Sequence, residues 1–265
     1  MTSLFNTSHK ITHESERMDQ QFIIPFISLL QQSSNECVSW ITFFFCVIFI
    51  LSSMRLFGIV GLYAYSVLAT ITANIQVLKV VNFSFSPEPV ALGTIIFATV
   101  FLVSDIITEH YGKEAAQKGV WLSFVMQIFM TIFMLLTIGH PPLASDIVYH
   151  SAIETLFLPS PRLLIASLTA FALSQLFEIH IFYKLQVATS GKMLWLRTNV
   201  SSIIAALLDN IIFSTIAWVI LAPVPVSLKS LVFTYILCTY LARVIVSLLS
   251  TPIIYLSYKC LPKND

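Results

Sequence analysis

Charge is what this chain has least of. Only 14 Lys and Arg and 13 Asp and Glu stand among 265 residues, 10% of the sequence. A soluble domain carries about 25% charged residues, and a water-facing surface needs roughly 25–35% charged positions. A soluble globular enzyme is therefore excluded. The net charge of +1 offers no basic field for nucleic acid. Glycine is scarce too, seven residues in all, which disfavours phosphate-cradling loops. No GxxxxGK[ST] string is present, which excludes ATP hydrolysis by the usual loop. HExxH, GxSxG and CxxC are also missing. Cys37, Cys46, Cys238 and Cys260 sit in or beside apolar segments, where a lone cysteine serves as a small hydrophobe. No cofactor, metal or catalytic residue is expected.

Apolar residues are abundant. They make up 57% of the chain, with a mean hydropathy of +0.87. So much apolar surface also excludes a disordered chain. A helix needs about 20 apolar residues to cross a bilayer. Seven such runs lie near 38–56, 60–81, 90–109, 116–138, 161–183, 199–222 and 231–258. They are continuous rather than alternating, which disfavours a β-barrel. The expectation is an all-α, polytopic transmembrane bundle of about seven spans, or six if the first does not cross. The 1–37 segment reads as a polar N-terminal extension without a secretory leader. Its one apolar stretch, Phe22–Leu30, is too short to span and suits the membrane interface. Residues 38–258 form the membrane domain and 259–265 a short tail. The one long connection, 139–160, is bounded by Pro141, Pro142, Pro159 and Pro161 and reads as a loop.

Lys and Arg in short loops set the orientation. Arg55, Lys113, Lys118, Lys184, Lys192, Arg197, Lys259 and Lys263 fall on one side, and Lys79, Arg162 and Lys229 on the other. The richer side, with the C-terminus, is expected to be cytoplasmic.

Polar residues at span depth are costly and face a cavity or a partner. Asp105 and Glu109 share a helix face, one turn apart. Glu109 is expected to pair with Lys113 in water, and Asp105 to line a cavity. Gln175 and Glu178 share another face, while His180 points away from it. A carboxyl at Glu178 either faces a polar cavity or keeps its proton. Asp209 lies midway along its run, with Ser202 two turns earlier on the same face, and is the strongest candidate for a cavity. Arg243 is too far from either end to snorkel, so a carboxylate partner or a substrate is expected. Asn74 is a polar cross-helix contact or a site residue. One internal echo links Ser104-Asp105-x-x-Thr108-Glu109-His110 with Ser174-Gln175-x-x-Glu178-x-His180. Both stretches fall in spans that should run inward, and such parallel repeats occur in transporters.

Four strings, ANIQVLKVV (73–81), FLVSDIITEHYGKEAAQKGVWLSF (101–124), SQLFEIHIFYKL (174–185) and LWLRTNVSSIIAALLDNIIF (194–213), are present in that order. Together they resemble the queuosine precursor transporter family, also described as vitamin-uptake-like transporters, over about residues 40–258. The resemblance implies import of 7-deazaguanine bases such as preQ0 and preQ1, or of queuine, across the bacterial cytoplasmic (inner) membrane for tRNA queuosine salvage. It carries over Asn74, Asp105 before the Tyr111-Gly112 turn, Gln175, Glu178 (Asp is usual there), Arg197, Ser201, Asp209 and the basic Arg243. Many members have Gln or Asn where this chain has Ala206. A guanine-like edge offers two N–H donors and one acceptor, which carboxylates and an amide can match. Phe177, Phe182 and Phe213 are candidates to stack on the ring. The expected partners are a small deazapurine base and the lipid bilayer, with no nucleic acid directly; a homo-oligomer is compatible. The alternatives are a substrate-binding subunit energised by a separate ATPase module, and a membrane enzyme acting on a lipid or nucleoside.

Overall fold

The computed structural model describes residues 23–84, 90–158 and 161–261. The polar residues 1–21, and with them the expectation for that tail, lie outside the described residues. The chain divides into two compact units, Met1–Ile41 and Thr42–Asp265. In the first, α1 runs over Ile23–Gln32 among the described residues.

The second unit is almost wholly helical. After α2 (Asn35–Gln76) come α3 (Thr94–Tyr111), α4 (Lys113–Ile138), α5 (Ile147–Phe157), α6 (Pro161–Ala188) and α7 (Leu194–Thr215). α7 runs on as π-helical turns over Ile216–Ile220. The short α8 (Leu228–Ser230), π-helical turns over Leu231–Leu237 and α9 (Cys238–Ser257) complete the order. Among the described residues, six helices are long and apolar enough to cross a membrane. The protein is a multi-pass helical bundle, as its composition requires.

The 42-residue α2 would measure about 63 Å if straight, twice what a bilayer needs. It is not straight. Gly58 has φ 57 and ψ −137, a conformation that favours glycine. The rings of Phe49 and Tyr65 lie 6.2 Å apart, and the Cys46 thiol reaches the Tyr65 hydroxyl. In a straight helix those residues would be more than about 20 Å apart. The helix therefore folds back at Gly58 into two antiparallel arms, which restores the two runs expected at 38–56 and 60–81. The second arm ends at Gln76. Val80–Val81 then pairs with Val90–Ala91 as a two-residue antiparallel ladder, β1 and β2, where the sequence read helix. β-Branched valines favour this.

The 139–160 connection is corrected as well. It contains the 11-residue α5, supported by a His150–Glu154 pair at i,i+4, 3.5 Å apart. The prolines bound this helix rather than exclude it. None of its residues is buried, and Ile147, Val148 and Tyr149 stand exposed.

Contacts at several levels fix the helix directions. Phe97 of α3 meets Phe171 of α6, with ring centroids 5.9 Å apart. Further along, the Gln186 amide of α6 donates to Glu109 of α3 at 3.1 Å. α3 and α6 thus run parallel, as their sequence echo and the alternation of spans require. α7 runs against both. α9 runs with α3, since Arg243 meets Asp209 while Ser257 meets His110.

Candidate substrate and ion site

The polar residues of α3, α6, α7 and α9 stack in three levels along the bundle axis. The first is built on Asp209, whose Oδ2 accepts from Arg243 Nη1 at 2.5 Å and whose Oδ1 accepts from Ser174 Oγ at 3.0 Å. Arg243 also lies over the rings of Phe97 at 4.8 Å and Phe101 at 5.8 Å. The expected partner for Arg243 is thus present. Two aromatic faces add cation–π attraction in a desolvated place.

The second level holds Asp105, Glu178 and Ser202. Ser202 Oγ lies 2.7 Å from Glu178 Oε1 and 3.5 Å from Asp105 Oδ2. Glu178 and Gln175 are fully buried. Neither amide atom of Gln175, nor Glu178 Oε2, has a hydrogen-bond partner. Buried polar atoms without partners are rare, and each calls for an explanation.

The third level corrects the reading of Glu109. Its carboxylate pairs with Arg197, not Lys113, and accepts from Tyr258 and Gln186 as well. Arg197 is buried and packs over the Phe182 ring at 5.3 Å. Lys113 instead approaches His180 Nδ1 at 3.3 Å on the exposed side, so His180 does point away from the site. Sequence spacing favoured the i,i+4 partner; the buried guanidinium of another helix offers a stronger, desolvated one. Tyr258 lies just past α9. Burial, followed by the bond to Glu109, pushes its hydroxyl up to about 12. An ultraviolet titration should show this tyrosine ionising about two units later than a free one, and Glu109→Gln should bring it back toward 10.

A cleft opens between α3, α7 and α9. Phe101, Asp105, Thr198, Ser202, Ala206 and Arg243 line it. Its cavity volume is about 20 Å³. This is a narrow slot that holds roughly one water. It joins the first two levels: Arg243 forms one wall, Asp105 and Ser202 another.

The remaining expected residues lie off the slot's lining. Asn74 accepts from Ser167 Oγ at 2.8 Å, near the start of α6. The Ser201 hydroxyl bonds back to the Arg197 carbonyl at 2.7 Å, while its neighbour Ser202 faces the slot. Phe177 points outward and Phe182 belongs to Arg197. Phe101 lines the slot, and with Phe97 it lies against Arg243; sequence reasoning missed both among 21 phenylalanines. Ser202, marked in the sequence as two turns before Asp209 on the same face, lines the slot.

Among the described residues, six helices apolar enough to cross a membrane and a slot with buried charged groups fit a multi-pass membrane transporter. The family described as "Putative vitamin uptake transporter" matches residues 91–257, and the chain belongs to that family. A Bacillus subtilis (strain 168) protein named "Probable queuosine precursor transporter" is 33% identical over 211 residues, covering 79% of this chain and 88% of that protein. No solved structure matches the chain.

Proposed function

We propose that this chain imports queuosine precursors, 7-deazaguanine bases, across the cytoplasmic membrane by alternating access around the slot. The carrying observation is the slot's chemistry: the Asp105 carboxylate on one wall and the Arg243 guanidinium, flanked by Phe97 and Phe101, on the other. The N1–H and 2-amino group of a deazaguanine donate to a carboxylate such as Asp105. Its O6 accepts from a guanidinium such as Arg243, and its flat ring suits the Phe101 face. Glu178 holds Ser202 and Asp209 holds Arg243, with Gln175 buried beside them, Asn74 bonded to Ser167 off the slot, and Arg197 and Ser201 at the end nearest Glu109.

The narrowness of the slot fits a carrier whose helices part to admit a substrate. π-helical turns extend α7 at 216–220 and lead into α9 at 231–237, on two of the three helices that wall the slot, where backbone pairing is easiest to rearrange. The Lys- and Arg-rich ends, with the C-terminus, face the cytoplasm in this reading. Ala206 lines the slot. With Gln or Asn absent there, the pocket leaves room beside the base, which favours a substituted deazaguanine over the smallest one. The chain acts as a transporter, not an enzyme.

The test is complementation in a bacterium lacking both queuosine synthesis and its own importer. Each precursor is supplied at nanomolar level, and queuosine is scored in tRNA. Restoration by one base, lost on Asp209→Asn, is expected. No restoration by any base, with the protein shown to be in the membrane, refutes the proposal.

A further inference from the structure

The four deeply placed carboxylates of α3, α6 and α7 do not all have cations. Arg197 serves Glu109, and Arg243 serves Asp209. Among the described residues no Lys or Arg lies within salt-bridge distance of Asp105 or Glu178. Two ionised carboxylates facing one hydroxyl in a dry interior, without a cation, would cost many kcal/mol. Hydrogen counting points the same way. Ser202 has one proton to donate, and the 2.7 Å bond to Glu178 Oε1 can use it. Asp105 Oδ2 at 3.5 Å and Glu178 Oε2 are then left without donors. Independent of the acids, three further buried polar groups are unpartnered: the Gln175 amide, Thr198 Oγ1 and Ser247 Oγ, the last two lining the slot.

We infer that Glu178 carries a proton, exchanged with Asp105 through Ser202, and that one proton crosses with each substrate molecule. The inference rests on the transport reading. Asp105 lines the slot and Glu178 lies behind it, so the two acids have different tasks. Asp105 meets the base's N–H donors and must be ionised to accept from both. Glu178 holds the proton while it does so. The proton enters from the outer side with the base, resides on a Glu178 oxygen, and leaves to cytoplasmic water. No bond other than O–H forms or breaks.

Charged groups on the helices around Glu178 are few. α3 brings Asp105, Glu109 and His110, the last bonded to Ser257; α7 brings Arg197 and Asp209; α9 brings Arg243; α6 itself carries His180, turned to Lys113, and Lys184. The titratable side chains of α4 are Lys113, Glu114 and Lys118 in its first turns, with Lys113 turned to His180. The turns Ile216–Ile220 carry none. Both guanidiniums are committed to other acids, which leaves the proton as the counter-charge.

Purified protein in vesicles, with the membrane potential clamped at zero, tests this with a radiolabelled neutral deazaguanine such as preQ0, so that the probe's own charge does not change with pH. One proton per base sustains about tenfold accumulation per pH unit of gradient. Wild type should show this with a proton gradient and not with a sodium gradient. Glu178→Gln and Ser202→Ala should exchange base more slowly, and a proton gradient should no longer drive accumulation. If Glu178→Gln fails to reach the membrane, Glu178→Asp, which draws the carboxyl back from Ser202, should shift the pH midpoint of uptake. Wild type that exchanges base but answers only to sodium, or to no gradient, overturns the inference and leaves transport standing. So does tenfold accumulation by Glu178→Gln, or an unshifted midpoint in Glu178→Asp. Failure of wild type to exchange any base overturns the transport reading, and this inference with it.

Discussion

Replacing Arg243 with methionine should cost about 3–5 kcal/mol of stability, because it strands the Asp209 carboxylate in a buried site. Asp209 keeps only Ser174 as a partner at 3.0 Å, and the cation that balanced its charge is gone. Thermal unfolding in detergent reads this directly. A buried ion pair replaced by apolar residues of similar volume is often neutral or stabilising. The double variant Arg243→Met/Asp209→Leu should therefore regain most of the lost stability. It should not regain transport, since both polar ends of the first level have gone. Uptake falling to background in a double variant that melts near the wild type separates function from folding at this pair. Wild-type uptake by that double variant would remove Arg243 and Asp209 from the site.

The second large effect is expected at Gly61. A Cβ built there would lie 2.2 Å from the Ser53 carbonyl oxygen and 3.1 Å from Phe57 Cβ. The nearer clash is with backbone, which cannot swing aside as a side chain can. Gly61→Ala should cost about 3 kcal/mol or more, at the top of the range for overpacking, and most of the protein should be lost from the membrane. Gly112 is the control. It has φ +88, but a Cβ added there would meet nothing within 4 Å. Gly112→Ala should therefore show backbone strain alone, a smaller loss. Membrane abundance and unfolding temperature of the two variants decide the point. Equal losses would mean that the close approach of the two arms of α2 is not what holds that fold.

Much of this was legible because a bilayer restricts what a sequence can do. Apolar runs of the required length mark the crossings, and the few charged residues inside them mark the interior. Asp105, Glu178, Asp209 and Arg243 were visible on that ground alone; the structure puts Asp105 and Arg243 on the slot's walls and joins Asp209 to Arg243 and Glu178 to Ser202 next to them. Pairing was legible only where choice was narrow: Arg243 had to find a carboxylate, and did. Glu109 had two options. The spacing to Lys113 favoured the wrong one, since periodicity along one helix says nothing about the guanidinium arriving on α7. The aromatic walls were not legible, because phenylalanine is frequent on lipid-facing and core faces alike. The helix inside 139–160 was hidden by the prolines at its borders.

The fold-back at Gly58 also bears on parity. With both arms crossing, the six candidate spans among the described residues become seven crossing segments, an odd number, and residue 42 and residue 257 are expected on opposite sides of the membrane. A straight α2 would have left them on the same side. Reporter proteins joined at the two ends must therefore work in different compartments: one that folds only in a reducing cytosol should function at one end alone, and one that needs an oxidising exterior only at the other.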